Sequence, residues 1–163
     1  YASHSAKIER LDYWLGQYMA YLEESGIYDE TVLCLCSDHG EMLFDRGTVA
    51  KSKPWNSAAS VPLIFRGPGI RGNATITAPV ITRDLAATFI DYAGGRIPVG
   101  MTAHSLRPLL EGRQSVPWGS LVHSGLGNFR VVIRADNASA IFKLICCNGP
   151  CPVRRTSAPP QEE

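Results

Sequence analysis

Along the first two dozen residues, Ile8, Leu11, Leu15, Tyr18, Met19 and Leu22 recur at three- and four-residue steps. Lys7, Glu9, Arg10, Gln17, Glu23 and Glu24 fall between them. That period predicts an amphipathic helix, and Gly26 supplies its stop. The run Thr31-Val-Leu-Cys-Leu-Cys36 has no polar break and predicts a short strand buried on both faces. Val61-Pro-Leu-Ile-Phe65 predicts a second one, with Pro62 tolerable near the strand start and Gly67-Pro-Gly69 as its end. Residues 73–78 are polar and β-branched and read as a crossing loop. Leu85, Phe89, Ile90 and Ala93 give a second amphipathic helix over about residues 82–92, stopped by Gly94-Gly95. Leu106, Leu109 and Leu110 give a short helical turn before Gly112. Beyond Pro117 the texture becomes β. Arg130-Val-Val-Ile-Arg134 and Ala140-Ile-Phe-Lys-Leu-Ile145 flank a turn containing Asp136, Asn137 and Ser139, as in an antiparallel hairpin. A helix followed by a buried strand predicts an α/β layered sheet, with no internal repeat.

The interval 37–60 is polar, punctuated by glycine and without a sustained period, and a long irregular loop inside a compact domain is usually functional. It opens with Ser37-Asp-His-Gly-Glu-Met42, directly after a strand, where ligands collect in open α/β sheets. A carboxylate and an imidazole side by side are suitable donors for a divalent cation, and Gly40 allows the chain to turn beneath them. The alternative is an Asx turn with a solvated histidine. Lys51 and Lys53 lie farther along the same loop; each is a compact cation suited to a sulfate or phosphate oxygen, or else an exposed lysine on a loop.

Length and composition narrow the field. The 163 residues make about one domain by the prior of roughly 150 residues each. With 16 basic and 15 acidic side chains the net charge is +1, so no strong field recommends nucleic acid or an anionic membrane as partner. No apolar run approaches the ~20 residues of a bilayer span. The chain opens on Tyr1 and runs into a helical pattern, so it reads as starting in mid-protein. The five cysteines are odd in number and report no redox compartment.

Taken in order, Leu22-Glu-Glu-Ser-Gly-Ile27, Ser37-Asp-His-Gly-Glu-Met-Leu43, Lys51 with Pro54-Trp55, Val61-Pro-Leu-Ile64, Arg66-Gly-Pro-Gly-Ile70, Asp84-Leu-Ala-Ala-Thr88, Asp91-Tyr-Ala-Gly94 and Pro108-Leu-Leu110 form a co-linear string. It resembles the C-terminal part of a sulfatase catalytic domain, in the alkaline phosphatase superfamily. The resemblance implies a partial α/β alkaline-phosphatase-like fold, with residues 1–116 as catalytic-domain portion. Residues 117–147 would start a small C-terminal antiparallel sheet, and the Pro- and charge-rich 148–163 would be a poorly ordered tail. It also implies metal-dependent hydrolysis of sulfate esters, on a small molecule or a glycan, in a secreted, lysosomal or periplasmic setting. Asp38 and His39 would bind the metal, usually Ca2+, and Lys51 would contact the sulfate, with Lys53 as runner-up. Arg46, where the family often has histidine, would keep a positive group near the anion. The family's nucleophile is a hydrated formylglycine made from Cys or Ser in a motif followed by x-Pro-Ser-Arg. That motif and the paired-aspartate metal motif are absent from these residues and are expected upstream of Tyr1, so the chain alone is expected to be inactive. A phosphonate or phosphodiester hydrolase of the same superfamily, and a non-catalytic truncated remnant, are the other readings. Oligomeric state is not legible.

The remaining candidates are read as structural. Asn56 and Ser60 stand where the family commonly has Glu and Arg, a pair expected to have been neutralised together. Asp84 and Asp91 are expected to cap or face solvent, His104 and His123 to be structural, and Cys34 and Cys36 to pack as small hydrophobes. Cys146, Cys147 and Cys151 lack the partners of a zinc site. Asn73-Ala-Thr75 and Asn137-Ala-Ser139 are glycosylation sequons that matter only on a secretory route.

Overall fold

The computed structural model describes residues 2–113, 121–137 and 140–147. Helix α1 (Ala2–Glu24) ends where Gly26 takes φ +70°, its amide bonding Glu23 O at 3.0 Å while Ile27 N bonds Leu22 O at 3.1 Å. This is a left-handed glycine stop that satisfies the last carbonyls. Of the apolar stripe that predicts the helix, only Leu22 is buried. Ile8, Leu11 and Tyr18 remain more than half exposed, with Tyr13, Trp14 and Tyr21 beside them. The stripe was correct as a helix signal, yet most of it meets no partner among the described residues.

Strand β1 (Leu33–Cys36) pairs with β2 (Leu63–Arg66) antiparallel, Leu33 opposite Arg66 and Cys36 opposite Leu63. In an open α/β sheet of parallel strands, Asp38 and His39 would lie at the carboxyl edge; the register gives instead one end of an antiparallel pair. An apolar run carries no mark of strand direction, which explains the difference. Nor are the strands buried on both faces: Cys36 is exposed, and so is Ile64. Leu63 and Phe65 alternate inward toward the core, the behaviour of a sheet covered on one side. Arg66 locks the far end of β2 to a 3₁₀ turn at Tyr28–Glu30. Its guanidinium lies 3.5 Å over the Tyr28 ring, donates to Tyr28 O and pairs with Asp29 at 2.6 Å.

The core gathers where α3 (Asp84–Tyr92) meets α4 (Arg107–Leu110). Leu106, Leu109 and Leu110 are buried there, with Leu63, Phe65, Ile70, Val80, Leu85 and others packed around them. Each fully buried leucine contributes about 1.5–3 kcal/mol. Asp84, only 3% exposed, neither caps its helix nor faces solvent; its Oδ1 accepts the His104 amide at 3.0 Å. Thr88 Oγ1 donates to Asp84 O at 2.7 Å and accepts the Leu106 amide at 2.8 Å. Buried polar atoms are thereby satisfied, and the segment leading into α4 is tied to α3. Asp91 accepts Ser105 Oγ at 2.6 Å and pairs with Arg107.

The second sheet is antiparallel, in the order β3 (Leu121–Leu126), β4 (Phe129–Asn137), β5 (Ala140–Cys147). The β4–β5 pair is the hairpin that the alternating residues predict, with a register irregularity between Ala135 and Asn137. Strand β3 carries His123, Ser124 and Gly125, too polar a run to be read as a strand; Gly127-Asn128 turns it onto β4. The expected boundary near residue 117, the tail 148–163 and Cys151 lie outside the described residues.

Candidate active site

Because β1 and β2 are antiparallel, residues 37–62 leave and return at the same end of the sheet. The loop is closed by backbone bonds from Gly40 N to Ala58 O at 2.9 Å and from Met42 N to Ala50 O at 2.8 Å. Met42 is its buried anchor, 1% exposed. A Cβ on Gly40 would lie 2.0 Å from Ser57 O, so only glycine permits this approach to the helical turn α2 (Asn56–Ala59). Leu43, Phe44, Arg46, Ala50 and Ser52 all take positive φ between 44° and 68°. Such conformations cost non-glycine residues free energy and persist where surrounding structure holds them, commonly at functional sites.

The loop brings Asp38, His39 and Lys51 together. His39 Nδ1 lies 2.8 Å from Gly40 O, an acceptor only, so Nδ1 carries the proton. Lys51 Nζ, an ammonium that only donates, stands 2.7 Å from Nε2, so Nε2 offers it a lone pair. Asp38 Oδ2 is 3.3 Å from the same nitrogen, while Oδ1 accepts the His39 amide at 2.9 Å. Desolvation raises the Asp38 pKa, but the hydrogen bonds from that amide and its own amide, with the charge of Lys51, outweigh it and hold the carboxyl below its ordinary value. Ser37 Oγ steadies the bend by donating to His39 O at 2.7 Å. A carboxylate, an imidazole lone pair and an ammonium thus meet at one exposed corner. Among the described residues no group of three or more His, Cys, Asp or Glu side chains is placed to hold a metal ion.

Lys53 is exposed and is not drawn into this corner. Arg46 takes another place: its guanidinium stacks 4.4 Å over the Trp55 ring. Asn56 does not turn to Ser60 but accepts Lys143 Nζ of β5 at 2.6 Å. Sequence reasoning missed Lys143, although it is the one charge in an otherwise apolar strand pattern, a signal that was there to use. Burial, and then the like charge of Arg46, hold the Lys143 ammonium below its ordinary pKa. Cys34, half-buried, has its thiol pushed up to about 12, by burial first and then by Cys36. That suits a packing role for Cys34, whereas Cys36 is exposed. His123 is exposed on β3.

Set against known proteins, the sulfatase family model matches residues 1–95. The chain belongs to the sulfatase family. Arylsulfatase K of Danio rerio is 32% identical over 109 residues, 67% of this chain and 21% of that protein. Among solved structures, the phosphonate monoester hydrolase SpPMH from Silicibacter pomeroyi superposes with TM-score 0.74 at 29% identity, over 88% of this chain and 31% of that one. BT4656, solved with its substrate D-glucosamine-2-N,6-O-disulfate, superposes with TM-score 0.80 at 25% identity, over 92% and 32%. The sulfatase chain therefore has, in part, the alkaline-phosphatase-like fold, and it spans about a fifth of the length of the curated relatives it matches. Among its described residues no helix is long and apolar enough to cross a membrane.

Proposed function

We propose that this chain supplies part of the active site of a metal-dependent sulfuric ester hydrolase, with Lys51 as the sulfate-binding residue and Asp38 and His39 as metal ligands. The observation that carries the reading is the approach of Lys51 Nζ to His39 Nε2 at 2.7 Å, beside the Asp38 carboxylate. Two donors face one cation here, and that cation is the chain's own ammonium. The same lone pair and carboxylate suit a divalent ion, Ca2+ by family resemblance, as part of a ligand set; calcium takes about 6–8 ligands, so others must complete it. Such an ion, when bound, supplies fixed positive charge to a developing oxyanion. Gly40 O, by fixing the His39 tautomer, keeps Nε2 available as a ligand atom. Lys51, exposed and tethered only through Nε2, is able to give up that contact and place its ammonium against a sulfate oxygen, as a compact cation does.

None of the 163 residues forms the Cys/Ser-x-Pro-Ser-Arg motif from which the formylglycine nucleophile would come. The chain by itself therefore binds without turning over, and a sulfated glycan or small sulfate ester is its ligand. A phosphonate monoester is the second reading, favoured by the likeness to SpPMH. The test is ligand titration of the chain with 4-nitrophenyl sulfate and 4-nitrophenyl phenylphosphonate in the presence of Ca2+, followed at the Lys51 and His39 resonances. Tighter binding of the sulfate, lost in Lys51→Ala, is expected. Tighter binding of the phosphonate would replace the first reading by the second. Indifference of both ligands to Lys51→Ala would remove Lys51 from the site.

A further inference from the structure

We propose that Arg46 and Lys143 form a second anion subsite beside the Lys51 corner, taking a sulfate group of the substrate other than the one bound by Lys51. The inference rests on the role proposed for Lys51 and deepens it. The Arg46 guanidinium carbon lies 4.4 Å over the Trp55 ring, a contact with a π-face that uses none of its N–H donors in a hydrogen bond and leaves them for a ligand. Lys143 reaches in from β5 to the next residue, Asn56. Two cations are thus gathered on adjacent residues of one loop, the second half-buried and burdened by the charge of the first. Among the described residues neither has a carboxylate partner. The one acceptor offered, Asn56 Oδ1, is neutral and leaves both charges unbalanced. Like charges brought together without a counter-charge disfavour each other, and a compact dianion between them would relieve that repulsion and satisfy their free donors.

The subsite is rigidly related to the first. Trp55 and Asn56 open α2, whose Ser57 and Ala58 backbone is pressed against Gly40, the residue after His39. Ser57 Oγ also donates to Asp45, next to Arg46. One substrate carrying two sulfates is the ligand that such an arrangement selects.

The experiment titrates the full chain with D-glucosamine-6-O-sulfate and D-glucosamine-2-N,6-O-disulfate, by calorimetry and by NMR at the Lys143 and Arg46 side chains. The disulfate is expected to bind about tenfold tighter, with shifts at both side chains. Arg46→Ala and Lys143→Met should each abolish that preference while leaving the monosulfate unchanged, and Lys143→Arg should restore it. Lys51→Ala should weaken both sugars alike. If it weakens neither, the Lys51 reading fails while a surviving preference keeps the subsite. No preference in the wild-type chain, no response at Lys143 to either sugar, or a preference that survives Arg46→Ala and Lys143→Met overturns the subsite.

Discussion

Asp84 and Asp38 are both aspartates that match the family pattern, and the two regions around them differ in every respect that decides whether a carboxylate is free to meet a ligand. Asp84 is 3% exposed, sits on a regular helix and spends its Oδ1 on the His104 amide. Asp38 has a side chain 83% exposed, follows a strand end and lies 3.3 Å from His39 Nε2, the nitrogen that Lys51 also approaches. Asp84 and Thr88 have their polar side-chain atoms satisfied within the core. Around Asp38 the loop adopts left-handed conformations at five non-glycine residues and leaves its charged groups open. A buried, hydrogen-bonded carboxylate holds elements together, whereas an exposed one beside other charged groups is open to a ligand.

The contrast can be broken from either side. The largest effect is expected for Leu106→Ala in the core cluster, which should cost ~2–5 kcal/mol in denaturant unfolding while the His39 ring signals of the folded fraction stay in place. Asp84→Ala should cost about 1.5–3 kcal/mol, because the hydrogen bond from the His104 amide to a buried carboxylate is lost, again without change at Lys51. Gly40→Ala works from the other side. Its methyl would collide with Ser57 O, a backbone atom, so the loop must shift, and sulfate binding should fall more than the melting temperature does. Acid titration gives a smaller effect. The hydrogen bond from Arg107 holds the Glu111 carboxyl below its ordinary 4.5, against some desolvation and with help from Arg113. A depressed folded value means stability that is present above about pH 4.5 and lost as pH falls through the folded value. Glu111→Gln should therefore lose less melting temperature between pH 6 and pH 3 than the parent does, and an equal loss would deny the Arg107–Glu111 pair that role. The smallest change is expected for Asp38→Asn, within about 0.5 kcal/mol of the parent in stability.

Much of the fold was legible because periodicity reports local structure. Residues 84–92 and 107–110 are helical where apolar spacing places helices, and Arg130–Arg134 pairs with Ala140–Ile145 as the polar turn between them suggests. Strand direction was not legible: β1 and β2 read as buried apolar runs, and such runs look alike whether paired parallel or antiparallel. Burial failed at α1, whose stripe gives a helix but cannot say what covers it. The corner itself was half visible. Asp38 and His39 are neighbours in sequence, and Lys51 entered through the family resemblance; their convergence depends on Gly40 packing against α2, a contact no local pattern encodes. Lys143 meets Asn56 across two elements far apart in the chain, a partner that no local pattern around Asn56 announces.

The role proposed for His39 Nε2 is that of an unprotonated ligand atom shared between Lys51 and a divalent cation. Nitrogen-15 NMR of the His39 ring at neutral pH, recorded with and without Ca2+, tests it most directly. The account predicts an Nδ1-protonated ring whose Nε2 signal moves with millimolar Ca2+, and no such movement in Asp38→Asn. A ring protonated at Nε2, or one indifferent to Ca2+ in the parent chain, would contradict it.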